Sequence, residues 1–160
     1  MYQIESKGYP ISENDVIKFE NLITSRLPEE YRDFLLKYNV CTIQPTFFKF
    51  KKHIDEEGES AIEYFPGFNV NPRKEYYYSL YWYHKTMQGR MPKEFIKIAS
   101  DPLGNAILIH LEKGSIWFWD HELEADIDDG EEISMANIFF ISNDFNSFLD
   151  SLYEMDVESF

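Results

Sequence analysis

One cysteine, Cys41, stands among the 160 residues, so neither an internal disulfide nor a multi-cysteine metal site can form. Its neighbours Val40 and Ile43 point to a buried thiol. No apolar run approaches the roughly 20 residues of a membrane-spanning helix. The opening MYQIESKGYP also lacks the basic-then-apolar order of a signal peptide, so a cytoplasmic location is expected. Basic residues are scarce beside acidic ones: 15 − 29 = −14. That charge repels nucleic acid and anionic membrane, favours basic partners and speeds their capture. There is no G-x-G-x-x-G or phosphate-binding loop and no H-E-x-x-H; His53, His84, His110 and His121 are dispersed. No activated nucleophile or oxyanion motif accompanies them, so no catalytic residue, metal or cofactor is expected and the chain does not read as an enzyme.

What is present suits a packed globule: 44% hydrophobic and 18% aromatic residues in a length that fits one domain, 1–160. Ser12 with Asp15 predicts a capped helix that sets Val16, Phe19, Leu22 and Ile23 on one face and ends near Arg26. Pro28, Glu29 and Glu30 start a second helix, continued by Tyr31, Phe34, Leu35 and Tyr38 and stopped at Asn39. A strand is expected at Thr46 to Phe50, then a charged loop from His53 to Glu59 and another strand from Ala61 to Phe65. Residues Arg73 to Gln88 combine strand-like types with helical spacing, and their length favours a helix.

The segment Met91 to Glu122 predicts three consecutive strands. Asp101-Pro102-Leu103-Gly104-Asn105 has turn chemistry, Ala106 to Leu111 is apolar, Lys113-Gly114-Ser115 turns again, and Ile116 to Trp119 is aromatic. His110 fits a core or edge position in the second strand. An acidic loop, an apolar stretch from Ile133 to Ile141, and a last helix opened by Asn143 and carrying Phe145, Phe148, Leu149 and Leu152 complete the order. Helices flanking a run of antiparallel strands make an α+β fold.

Leu27-Pro28-x-x-Tyr31-x-x-Phe34-Leu35 with Asn39, then Pro92-x-x-Phe95-Ile96-x-Ile98-Ala99-x-Asp101-x-x-Gly104-Asn105, then Trp119-Asp120-His121-Glu122 and the closing Phe145-x-x-Phe148-Leu149 occur in this order. The series resembles the SUKH superfamily, the Smi/Knr-like proteins whose bacterial members are largely toxin-immunity proteins. One departure is clear, since Val40-Cys41 replaces the usual Gly-Gly after the helix-ending Asn39. The resemblance implies a central antiparallel sheet flanked by helices and a protein that binds, and neutralises, a cognate toxin such as a basic nuclease domain. Eukaryotic relatives imply an alternative, a regulatory scaffold in cell-wall signalling.

The motif residues themselves are structural, so a contact surface has to be sought elsewhere. From Asp120 to Glu132 the chain reads DHELEADIDDGEE, eight acidic residues without Lys or Arg. Glu122, Glu124, Asp126, Asp128, Asp129, Glu131 and Glu132 can occupy the positions of substrate phosphates in a basic groove, gripped by arginine forks. The competing reading is a solvated loop. A calcium loop is excluded by register: counting from Asp126, Gly130 falls at position 5 and Asn137 at position 12. Asp120-His121-Glu122 is weak as an acid–base cluster, because successive strand residues face opposite ways. Tyr76 to Tyr83 holds more rings than one face can bury. Leu80 and Tyr81 fit the core, whereas Tyr78 and Trp82 suit exposed partner anchors, or the seam of a homodimer.

Overall fold

In the computed structural model, which describes residues 1–156, antiparallel strands and short helices alternate from the first residues on. A two-stranded sheet pairs β1 (Gln3–Ser6) with β2 (Cys41–Gln44), and a hairpin pairs β3 (Phe47–His53) with β4 (Glu56–Ala61). The main sheet has four antiparallel strands in chain order: β5 (Phe95–Ser100), β6 (Ala106–His110), β7 (Ile116–Trp119) and β8 (Ile138–Ser142). Helices α1 (Glu13–Ile23), α2 (Glu29–Tyr38), α3 (Leu80–Met87) and α4 (Phe145–Asp150) complete an α+β fold. The last four residues of the expected domain, 157–160, lie outside the described residues.

The sheet buries both faces, and strand alternation explains how. Ile107 and Ile109 of β6 join Ile96, Ile98, Ile116 and Phe118 under Phe19, Tyr31, Leu35, Phe48 and Phe148. Ala106 and Leu108 turn the other way, onto Phe95, Trp119, Ile138, Met87 and Met91. A strand buried on both faces needs a continuous apolar run, and AILI supplies it. Helices α1 and α2 are tied by a buried pair. Arg32 Nη2 lies 3.2 Å from Glu20 Oε1, while Glu20 Oε2 accepts the Leu27 amide at 2.7 Å. With its charge partner and a backbone donor in place, the buried carboxylate is satisfied.

Several boundaries depart from expectation. The charged segment His53 to Glu59 is mostly strand, not loop, with only Ile54 and Asp55 left to turn. Its charges are cross-strand partners: Lys49 faces Glu59 and Lys51 faces Glu57, which stabilises a hairpin. The strand expected from Ala61 to Phe65 ends at Ala61, after which Tyr64 and Phe65 make single bridges to Ser100 and Cys41. Residues Arg73 to Gln88 form no single helix. A 3₁₀ turn at Tyr76–Tyr78 precedes α3, and Ser79 divides them by accepting the Trp82 amide at 3.3 Å. The first helix stops at Ile23 because Thr24 turns left-handed, with φ 55°. Asp144, not Asn143, caps α4, accepting the Ser147 amide at 2.7 Å. Strand β1 has too little apolar alternation to be foreseen from its sequence, QIES.

After α2, positive φ falls on Asn39 itself (φ 54°), so no glycine is needed at position 40. Val40 and Cys41 instead run inward, both fully buried, and burial pushes the Cys41 thiol up to about 12.

Candidate functional surface

The acidic run leaves the sheet at the end of β7 and is folded by its own carboxylates. Asp120 accepts the Glu122 amide at 3.0 Å and caps a 3₁₀ turn at His121–Leu123. The expected alternation of strand faces at Asp120, His121 and Glu122 therefore does not apply. Asp126 accepts the Asp129 amide at 3.2 Å over a second turn, Ile127–Asp129. Glu131 Oε2 reaches back to the Asp126 amide at 2.9 Å. The base is closed where the Asp120 amide donates to the Asn137 carbonyl at 2.9 Å and the Asn137 side-chain amide donates to the Asp120 carbonyl at 3.1 Å.

Two further ties hold the run against the body of the protein. Arg90 grips Glu124 with a fork, Nε to Oε1 at 2.7 Å and Nη2 to Oε2 at 3.0 Å. Its guanidinium carbon lies 5.0 Å from the Trp119 ring centroid. At the other tie, Asp101 is buried and accepts four hydrogen bonds: Leu103 N at 2.9 Å, Asn105 N at 2.7 Å, Asn105 Nδ2 at 2.8 Å and Ser60 Oγ at 2.7 Å. Asn105 is thereby oriented with its oxygen toward His121, taking the His121 amide at 3.0 Å and lying 2.7 Å from Nδ1. Asn105 Oδ1 can only accept, so Nδ1 carries the proton. The turn motif D-x-x-G-N is thus also a bracket for the acidic run.

The seven carboxylates expected to meet a partner divide accordingly. Glu122, Asp126, Asp128, Asp129, Glu131 and Glu132 are exposed. Glu124 is half-buried and bound to Arg90, so its charge is compensated within the chain. Leu123 and Ile127 stand exposed between them. The aromatic candidates lie elsewhere. Tyr78 is half-buried, its ring 4.9 Å from that of Tyr64; Trp82 is 41% exposed and meets Tyr76 edge-on at 5.1 Å. Leu80 is buried, but Tyr81, expected in the core, is 39% exposed. Its ring meets those of Phe19 at 5.2 Å and Phe68 at 5.6 Å in T-shaped contacts. With Val70 and Pro72, Tyr76, Tyr81 and Trp82 line a shallow cleft of about 370 Å³. No hydrogen bond, ion pair or ring contact among the described residues joins Tyr78 or Trp82 to the acidic run.

Sequence reasoning missed Arg90, Asn105 and Lys97. The D-x-x-G-N spacing carried a signal for Asn105; nothing in G-R-M marks Arg90. Lys97 sits in β5 with its Nζ 4.4 Å from the Tyr83 ring centroid and no ion pair among the described residues. Burial, and then repulsion from Arg90, lower its pKa to about 8. A lysine whose folded pKa lies below its unfolded value weakens the fold while it must carry charge, and the loss fades as pH rises from about 8 toward 10.5. Lys97→Met should accordingly raise stability by about 1–3 kcal/mol at pH 7, with the gain shrinking above pH 8. Urea titrations of both proteins between pH 6.5 and about 10 check this; a gain that does not change with pH would refute it.

Among the described residues, no group of three or more His, Cys, Asp or Glu side chains could hold a metal ion. Nor, among them, is any helix long and apolar enough to cross a membrane. The surface carries exposed carboxylates and rings on a frame whose motif residues pack and brace. Comparison with known proteins agrees with that frame: the SMI1 / KNR4 family (SUKH-1) matches residues 10–151. The chain belongs to this family. The ordered motifs around Tyr31, Asp101, Trp119 and Phe148 all lie within the span that matches SUKH-1. A relative in Bacillus subtilis (strain 168), the SPbeta prophage-derived uncharacterized protein YokK, is 31% identical over 176 aligned residues. That alignment covers 99% of this SUKH-1 chain and 84% of the relative.

Proposed function

We propose that this SUKH-1 protein is a non-enzymatic immunity protein that neutralises a cognate toxin by stoichiometric binding, the toxin being a basic nuclease domain. The observation that carries the proposal is the acidic run, a preformed surface of six exposed carboxylates braced by Arg90 and Asn105. A braced surface loses little conformational freedom on binding. Its concentration of exposed negative charge suits it to stand in for phosphates in a nuclease groove. The prophage origin of the Bacillus subtilis relative supports the reading, since a neutraliser is useful only where its toxin travels with it.

Co-expression with the toxin domain encoded beside its gene tests this directly. The wild-type protein should restore growth and form a one-to-one complex with that domain. Lysine at positions 122, 128, 129 and 132 together should weaken the complex by about 100-fold or more, while leaving thermal stability unchanged. Failure of the wild-type protein either to protect or to bind would refute the proposal. Affinity indifferent to salt between about 0.05 and 0.5 M would refute phosphate mimicry in particular.

A further inference from the structure

Beside the acidic run lies a cleft that the charge reading leaves unused. It occupies about 590 Å³ between the C-terminal ends of α1 and α3 and the start of β5. Met87, Met91 and Phe95 are buried and form its floor; Leu22, Leu111 and Ile133 are its more exposed walls. Volume and lining suit a binding site, and methionine makes such a floor adaptable. Leu22 projects from α1 with 56% of its surface exposed, in a helix that is otherwise packed on its inner face.

The cleft and the run are continuous. Ile133, a wall residue, directly follows Glu132. Arg90, whose fork holds Glu124, stands between the lining residues Gly89 and Met91. The lining itself contributes one lysine and one carboxylate, Lys93 and Glu94, so the sign of the neighbourhood is set by the run. Two backbone groups at the cleft are engaged: the Phe95 amide donates to the Pro92 carbonyl and the Glu94 carbonyl accepts from Leu111. β5 is an edge strand of the main sheet, but α3 packs against it, and the floor and walls of the cleft are apolar side chains, which suits an inserted helix.

The geometry points to a docking groove for a basic amphipathic helix of the partner protein. Its apolar face enters between Leu22 and Ile133, and its lysines or arginines meet Glu131, Glu132 and their neighbours. This inference rests on the immunity reading for the identity of the partner, but the groove can be tested without the toxin. The probe is an N-acetylated helical peptide of about 18 Leu and Lys residues, apolar at i, i+3, i+4 and i+7, followed by fluorescence anisotropy. A scrambled peptide of the same composition is the control.

The amphipathic peptide should bind at least tenfold more tightly than the scrambled one. Leu22→Asp, alone and with Ile133→Asp, should weaken it tenfold or more despite adding negative charge. Equal binding of the two peptides, or unchanged or tighter binding by the aspartate variants, would show attraction by charge alone and overturn the groove. A stable dimer in light scattering that Leu22→Asp dissociates would overturn it in favour of a second copy. Toxin protection that survives Leu22→Asp with Ile133→Asp would sink the groove and leave the immunity reading standing; loss of protection in the wild type would do the reverse.

Discussion

Asp101→Ala will lower the free energy of unfolding by about 3–5 kcal/mol, a large share of a typical domain's stability. The reason is the number of donors that converge on one buried carboxylate. Removing it leaves the Leu103 and Asn105 amides, the Asn105 side chain and the Ser60 hydroxyl to find other partners. Water can replace some of these, but Asp101 and Asn105 are both buried. Asp101→Asn should fall between the two, because its amide presents a donor where the carboxylate accepted. The effect will also travel. With Asn105 no longer held, its oxygen drifts from His121, and the His121 amide should exchange with solvent faster than in the wild type even under conditions where both are folded. Urea denaturation gives the first quantity and amide exchange the second. A loss below about 1 kcal/mol would show that the turn holds without its carboxylate.

A comparable loss, about 3–4 kcal/mol, is expected for Gly67→Ala, from crowding rather than from a missing group. A Cβ at Gly67 overlaps Asn39 Oδ1 and comes within 3.0 Å of the Val40 amide nitrogen. Asn39 cannot swing aside cheaply. Its Nδ2 donates to the Tyr9 and Phe68 carbonyls at 2.9 Å each, and its Oδ1 accepts the Phe68 amide at 2.8 Å. Gly67 is pinned as well, donating to Tyr78 and accepting from Leu80 at 2.8 Å each. The alanine methyl therefore either shifts a backbone segment or expels a buried carboxamide. A double-mutant cycle separates this from a general loss of packing. Asn39→Gly removes the obstructing oxygen and tolerates φ 54°, so Gly67→Ala should cost less in that background. Strict additivity would refute a direct clash.

Those two sites show what the sequence allowed to be read and what it hid. Helices α1 and α2, β5 to β7 and α4 were legible because each has its own periodicity and a cap or turn at its ends. Tyr31, Phe34 and Leu35, for example, share one helical face, and AILI cannot be anything but buried. The β3–β4 hairpin was hidden because its lysines and glutamates pair across strands, a relation invisible until the register is known. Ser79 was the missed break in Arg73 to Gln88, a cap read as one more residue of a helix. At the surface, the acidic run was legible as composition. Its bracing was not, because Arg90 lies 34 positions before Glu124 and Asn105 lies 16 before His121. The cleft beside it draws on α1, α3, β5 and Ile133, which no local pattern links.

The division of labour inside the acidic run has a bearing on how such a protein changes over generations. Asp120, Asp126 and Glu131 hold the turns and Glu124 holds Arg90, so replacing any of them alters the loop's shape. The side chains of Glu122, Asp128, Asp129 and Glu132 make no hydrogen bond or ion pair among the described residues. These four positions can be rewritten one at a time while the scaffold stays put. On the immunity function proposed above, recognition would thus drift with a changing toxin without first risking the fold.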